Sequence, residues 1–238
     1  MASHCLWCDA EITEGVSWKE VFGLSRPDVL CRVCREGLMV LRKPLCRICG
    51  RSFLDLSSDY RNGDLCYDCI RWEEGEWGGL LVKNRSLYVY NEFLKEIVAL
   101  FKFRGDAVVV RGFEWAWIQL YREVFSGTLV VPIPLSSERL YERGFNQAAE
   151  LARLLPAPVC EVLERTVHEQ KQSKKSRTER LHLEKPVFQY CGEAERIRGK
   201  DILLIDDIYT TGATVRRAAK VLLESEAASV SSMTIARG

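Results

Sequence analysis

At 238 residues the chain has room for one large domain, or for a domain and an accessory module. Its 47% apolar content is enough for a packed core, and a formal charge of +1 excludes recognition of a polyanion by bulk charge alone. The opening MASHCLWCDA has no basic leader followed by an apolar stretch, and no apolar run reaches about 18 residues, so the expectation is a cytoplasmic protein with neither signal peptide nor membrane insertion.

The first predicted unit, residues 1–78, is held by metal. Eight of the ten cysteines form four C-x2-C pairs: Cys5/Cys8, Cys31/Cys34, Cys46/Cys49 and Cys66/Cys69. Two residues between thiolates let one tight knuckle offer both sulfurs to a tetrahedral ion, and two knuckles complete a four-thiolate zinc site. Without an export signal, disulfides are the weaker reading. Sequential pairing would place Cys5, Cys8, Cys31 and Cys34 on one zinc and the other four on a second. An interleaved cross-brace also fits, but the shorter loops of the sequential version cost less closure entropy. His4 adjoins a ligand and reads as a bystander. The unit ends in the acidic, tryptophan-rich IRWEEGEWGG, whose Gly78-Gly79 suits a hinge or turn.

Residues 79–238 read as an α/β domain with a mostly parallel sheet flanked by helices. SLYVYN is a strand, and Glu92 to Phe103 a helix facing inward with Leu94, Ile97, Val98 and Phe101. Lys102 and Arg104 fall outside that face and suit either phosphate contact or plain solvation. GTLVVPIP is a core strand ending in prolines. The segment after it, LSSERLYERGFNQ, would bring Arg139 and Arg143 to the sheet edge. FNQAAELARLL is a helix stopped by Pro156; Asn146 and Gln147 start it or touch a ligand. RTVHEQKQSKKSRTER, Arg165 to Arg180, holds six Lys or Arg against two Glu and is either a solvated loop or a mobile flap over an anionic ligand. His168 within it reads as an exposed loop residue before a base. DILLID and AASVSSMTIA supply two more strands, the last with mixed faces.

The chemistry concentrates in ILLIDDIYTTGAT, Ile202 to Thr214. An apolar strand is expected over Ile202 to Ile205, with Asp206 and Asp207 where it ends. Thr210, Thr211, Gly212, Ala213 and Thr214 then lead into a helix whose Val215, Ala218, Ala219, Leu222 and Leu223 share a face. Adjacent carboxylates repel, so their site must compensate them by holding magnesium, the vicinal hydroxyls of a sugar, or both. The loop behind can wrap a phosphate with backbone N–H groups and hydroxyls. Hydroxyls in front and a phosphate behind describe a ribose 5-phosphate. Neither G-x4-G-K-[ST] nor G-x-G-x-x-G occurs.

This segment resembles the phosphoribosyl pyrophosphate signature of type I phosphoribosyltransferases. With FKFRGD at 101–106, VPIPLSSERLYERGFNQA at 131–148, the stretch holding Gln172 and Arg180, and the cysteine-rich start, the whole chain is similar to the ComF family of late-competence proteins, which serve uptake of transforming DNA. The resemblance implies a type I phosphoribosyltransferase-like domain preceded by a small zinc-ribbon or finger-like module. It implies that Asp206 and Asp207 meet the ribose hydroxyls and that Thr210 to Thr214 cradle the 5-phosphate. It further implies that Arg139 and Arg143 meet pyrophosphate beside a strained non-proline peptide, and that a DNA-uptake helicase is the kind of protein partner.

Two functions fit. One is a magnesium-dependent phosphoribosyltransferase of unknown acceptor, in which pyrophosphate leaves through an oxocarbenium-like state. The other is an accessory or adaptor protein of DNA uptake without transferase activity, its site sensing phosphoribosyl pyrophosphate or gripping single-stranded DNA, with Trp72 and Trp77 free to stack on bases or to serve as core.

Overall fold

The computed structural model describes residues 3–12, 29–54, 56–103, 107–166 and 187–238. Two small cysteine-bearing units come first. In one, β1 (Ser3–His4) pairs antiparallel with β2 (Glu11–Ile12) around the Cys5–Cys8 turn, and α1 (Arg32–Glu36) starts directly after Cys31 and buries Cys34. In the other, β3 (Arg61–Asn62) and β4 (Leu65–Cys66) form a hairpin that feeds α2 (Tyr67–Glu73), with Cys66 as its N-cap and Cys69 buried. Each unit therefore joins a knuckle on a turn to a knuckle on a helix start.

The remaining elements in chain order are β5 (Asn84–Val89), α3 (Glu92–Phe103), a 3-10 helix (Ala107–Phe113), α4 (Glu114–Val124), β6 (Leu129–Pro132), α5 (Ser137–Arg143), α6 (Gln147–Arg153), β7 (Leu163–Arg165), β8 (Phe188–Tyr190), β9 (Asp201–Tyr209), α7 (Ala213–Glu224) and β10 (Ser229–Arg237). Four strands make one sheet in the order β5–β10–β9–β6, every neighbouring pair parallel. Helix α3 coincides with its expected bounds, and Leu94, Ile97, Val98 and Phe101 are buried as its pattern requires.

The structure overturns two expectations and supplies one element that the sequence reading leaves open. The final strand does not have mixed faces: β10 is central and buried from Val230 through Arg237. Two of its polar residues are bonded to β5. Ser232 donates to Asn84 Oδ1 at 2.9 Å, and the Ser86 and Thr234 hydroxyls bond at 2.7 Å. Second, LSSERLYERGF, to which the sequence reading gives no element, holds a helix: Ser136 caps α5 by accepting from the Arg139 amide and Gly144 ends it at φ +77°. Third, β9 does not stop at the acids but runs through to Tyr209.

The antiparallel pair β7–β8 sets Arg165, the first residue of the basic stretch, opposite Phe188. Of that stretch only Arg165 and Thr166 are described. His168, Gln172, Arg180 and Arg104 lie outside the described residues. No helix among the described residues is long and apolar enough to cross a membrane.

Candidate functional site

Strand β6 ends at Pro132 opposite Ile205, and the Ile133 amide donates to the Ile205 carbonyl at 2.9 Å as the last link. Beyond it β9 keeps β10 on one side, with Asp206 level with Thr234, and has an open flank on the other. That mismatch in strand length puts Asp206 and Asp207 against a cavity of about 300 Å³ while their backbone stays in the sheet. Open parallel sheets offer ligand sites at this carboxyl edge.

The two carboxylates differ. The Asp207 amide donates to Asp206 Oδ1 at 2.9 Å, and Lys102 Nζ, from the end of α3, lies 2.5 Å from Asp207 Oδ2. Lys102 is thus an ion-pair partner of the acids rather than a solvated flank. Burial, and then the Asp207 charge, raise the Asp206 carboxyl to about 7, although the Asp207 amide, Lys102 and Arg165 act against the shift. A carboxyl raised by folding costs nothing at low pH, where both states keep the proton; as pH rises the unfolded chain ionises first, so stability is lost progressively and the loss is complete above about 7. Asp206→Asn is accordingly expected to raise the melting temperature of the unliganded protein at pH 8, with a gain that shrinks below pH 7 and vanishes toward pH 4. Melts across that range check it; a gain independent of pH would contradict the assignment.

Behind the acids, Thr210 and Thr211 are exposed, Gly212 occupies φ +83° at the N-cap of α7, and the Ala213 amide reaches Thr211 Oγ1 at 3.4 Å. No acidic side chain lies in the first turn of α7, so the positive end of a 12-residue helix faces outward without a counter-charge of its own. Thr210 and Thr214 line the cavity.

Across the cavity stand Arg139 and Arg143 of α5. Arg143 Nη1 donates to Gln147 Oε1 at 2.8 Å, which aims the guanidinium along the wall. Asn146 is the cap of α6, accepting from the Ala148 amide at 3.0 Å, while its Nδ2 donates to the Ile133 carbonyl at 3.0 Å. Asn146 and Gln147 thus serve as helix-start residues, and both also line the cavity. The strained peptide implied beside the arginines is not found: residues 133–136 have no cis bond and no positive φ. Sequence reasoning missed Tyr90 and gave Arg165 no individual role; both line the cavity, and only the cationic run starting at Arg165 hinted at the latter.

The eight paired cysteines gather as Cys5, Cys8, Cys31 and Cys34, and as Cys46, Cys49, Cys66 and Cys69, all sulfurs within 4.8 Å in each group. This is the sequential pairing. All ten cysteines are free thiols. The Cys8–Cys31 and Cys49–Cys66 sulfurs are 3.6 and 3.5 Å apart, far beyond a disulfide and near the roughly 3.8 Å edge of a tetrahedron with 2.3 Å metal–sulfur bonds. The Cys66 amide also donates to Cys46 Sγ at 3.4 Å. The donor set and its shape fit a tetrahedral metal ion. His4 belongs to neither group; its Nδ1 bonds the Asp9 carbonyl at 2.8 Å.

The tryptophans hold the units together. Trp7 Nε1 donates to the Val109 carbonyl at 3.0 Å, and Trp72 Nε1 to the Thr211 carbonyl at 3.0 Å. Trp77 meets Trp72 edge-on at 6.2 Å under Lys220. Gly78-Gly79 forms a turn, with the Gly79 amide donating to Glu73 Oε2 at 2.9 Å.

Comparison with known proteins adds the following. The phosphoribosyl transferase domain family matches residues 140–238. Competence protein ComFC of Bacillus subtilis is 41% identical over 237 residues, covering 98% of this chain and 94% of that protein. Competence protein ComFC of Streptococcus pneumoniae is 31% identical over 98% of this chain and 99% of its own length. Competence protein F of Haemophilus influenzae is 24% identical over 81% and 90%.

Proposed function

This chain belongs to the family of ComFC competence proteins, and on that premise we propose that it acts in natural competence as a cytoplasmic binder of phosphoribosyl pyrophosphate, or of a related ribose 5-phosphate. Residues 1–78 form its zinc-held module and residues 79–238 the ligand domain. One observation supports the reading above the rest: an acid pair, Thr210 and Thr214 on either side of a helix start, and two arginines line one cavity at the carboxyl edge of a parallel sheet.

In this reading Asp206 and Asp207 accept from the ribose 2- and 3-hydroxyls or hold their magnesium ion. Thr210, Thr211, Gly212, Ala213 and Thr214 hold the 5-phosphate by amides and hydroxyls, and Arg139 and Arg143 meet the pyrophosphate. Magnesium, when bound, neutralises charge on the pyrophosphate. Should the protein be a transferase, these residues would act by positioning and by stabilising the departing charge, so no general base is required among them.

The test is calorimetric titration with phosphoribosyl pyrophosphate and magnesium, beside a single-stranded oligonucleotide titrated into the same sample. Saturable binding of the sugar phosphate is expected. Arg143→Ala should weaken it about tenfold, the scale of a charge-assisted hydrogen bond, and leave oligonucleotide binding nearly unchanged. Oligonucleotide binding with no heat from phosphoribosyl pyrophosphate would instead favour the reading as a DNA-binding accessory protein.

A further inference from the structure

Helix α2 carries Cys69 and, three residues later, Trp72. Its end packs against the rear of the Thr210–Thr214 loop. Besides the bond from Trp72 Nε1 to the Thr211 carbonyl, the Trp72 ring lies under the Arg216 guanidinium at 4.7 Å. Arg216 sits in the first turn of α7 and is wholly buried. Its Nη1 donates to the Tyr209 hydroxyl at 2.9 Å, and its Nη2 faces Glu73 Oε1 at 3.8 Å. Glu73 is itself fixed, through Oε2, by the Gly79 amide. A second path runs along the sheet. Arg237 Nη2 donates to Cys49 Sγ at 3.6 Å while its guanidinium lies over the Tyr209 ring at 5.0 Å. The fit leaves no slack at Gly212, where a Cβ would collide with the Tyr209 hydroxyl and lie 2.6 Å from Arg216 Nη1.

We propose that the second cysteine cluster and α2 form the rear wall of the phosphate loop, with Trp72, Glu73, Arg216 and Tyr209 as positioning residues, so that anion affinity at the loop depends on the metal of that cluster. The link to affinity rests on the ribose-phosphate reading above; the positioning does not. A trans peptide points its C=O and N–H in opposite directions. Anchoring the Thr211 carbonyl on Trp72 therefore turns the Gly212 N–H away from the module, toward the side where Thr210 and Thr214 line the cavity. Arg216, clamped between Trp72, Glu73 and Tyr209, fixes the first turn of α7 in the same frame. Removing the metal frees the start of α2, and the loop loses the surface that sets its peptide orientation.

The experiment uses the full-length, zinc-loaded chain. Trp72→Phe keeps a ring under Arg216 and deletes one N–H. Trp7→Phe deletes the equivalent N–H at the first cluster and is the control. Amide hydrogen exchange at residues 211–214 is read without ligand, zinc content is counted, and ribose 5-phosphate is titrated with magnesium. Exchange in Trp72→Phe should quicken about tenfold and ribose 5-phosphate affinity fall about fivefold, both with full zinc, while Trp7→Phe changes neither. If Trp72→Phe loses its metal or fails to fold, Glu73→Gln takes its place in the same comparison. Unchanged exchange in a zinc-loaded variant overturns the proposal whatever the ligand does. Faster exchange in a chain whose wild type ignores ribose 5-phosphate upholds the positioning and removes the assigned ligand instead.

Discussion

Replacing Asp207 by asparagine is expected to weaken phosphoribosyl pyrophosphate binding in magnesium by about 2 kcal/mol or more, roughly 30-fold. Asparagine keeps the size of the side chain and removes its charge, and the backbone at this point is fixed by pairing of β9 with β10 on one side. The loss should therefore fall on the ligand and not on the fold. Titration of a variant with a native circular dichroism spectrum checks it. Unchanged affinity would mean that the acid pair is inherited scaffold and that the ligand is held by the loop and arginines alone.

Metal removal should have the larger effect. Four-thiolate zinc sites commonly supply folding free energy on the order of 10 kcal/mol, so two zinc ions per chain are expected, with chelation unfolding residues 1–78 before the sheet. The two clusters should not behave alike. The first meets the rest of the chain through Trp7, packed on Phe93 and Phe113, and through the Gly37 carbonyl after α1, which accepts from Asn91 Nδ2 at 3.0 Å. The second is built into the sheet: the Asn84 amide donates to the Ile48 carbonyl at 2.6 Å, Asn84 Nδ2 to the Cys49 carbonyl at 3.2 Å, and Arg237 reaches Cys49 itself. Losing the second metal should also lower the melting temperature of the parallel sheet. Elemental analysis and melts at stepwise chelator concentrations test this; fewer than one zinc per chain in protein purified without chelator would refute it.

The parts legible in the sequence were those whose cause is local. The C-x2-C spacing places two sulfurs on one knuckle, and loop length alone favoured the sequential pairing that the sulfurs adopt. The 3.6-residue pattern of Glu92 to Phe103 gave α3, and the T-T-G-A-T run announced the turn before α7. Illegible parts depend on neighbours distant in the chain. Arg216 follows Val215 on a helix that reads as amphipathic, so its charge pointed to solvent, yet Trp72 and Glu73 enclose it from 144 and 143 residues away in sequence. The serines and threonine of β10 looked like an exposed face because their partners, Asn84 and Ser86, lie on β5. The length of β9 past the acids was hidden too, since it is β10 alone that continues the ladder there.

Lys102 gives the acid pair a different starting point from that of an empty carboxylate site. Its ammonium already occupies the seat beside Asp207, at 2.5 Å. An arriving magnesium ion must evict a tenant of like sign, and gains only the difference between two cations. A metal that comes already attached to a polyphosphate changes the exchange, since the displaced ammonium then finds anionic oxygens within its own reach. On the proposed reading the lysine therefore favours joint entry of metal and sugar phosphate, and makes free magnesium a poor occupant of the resting protein.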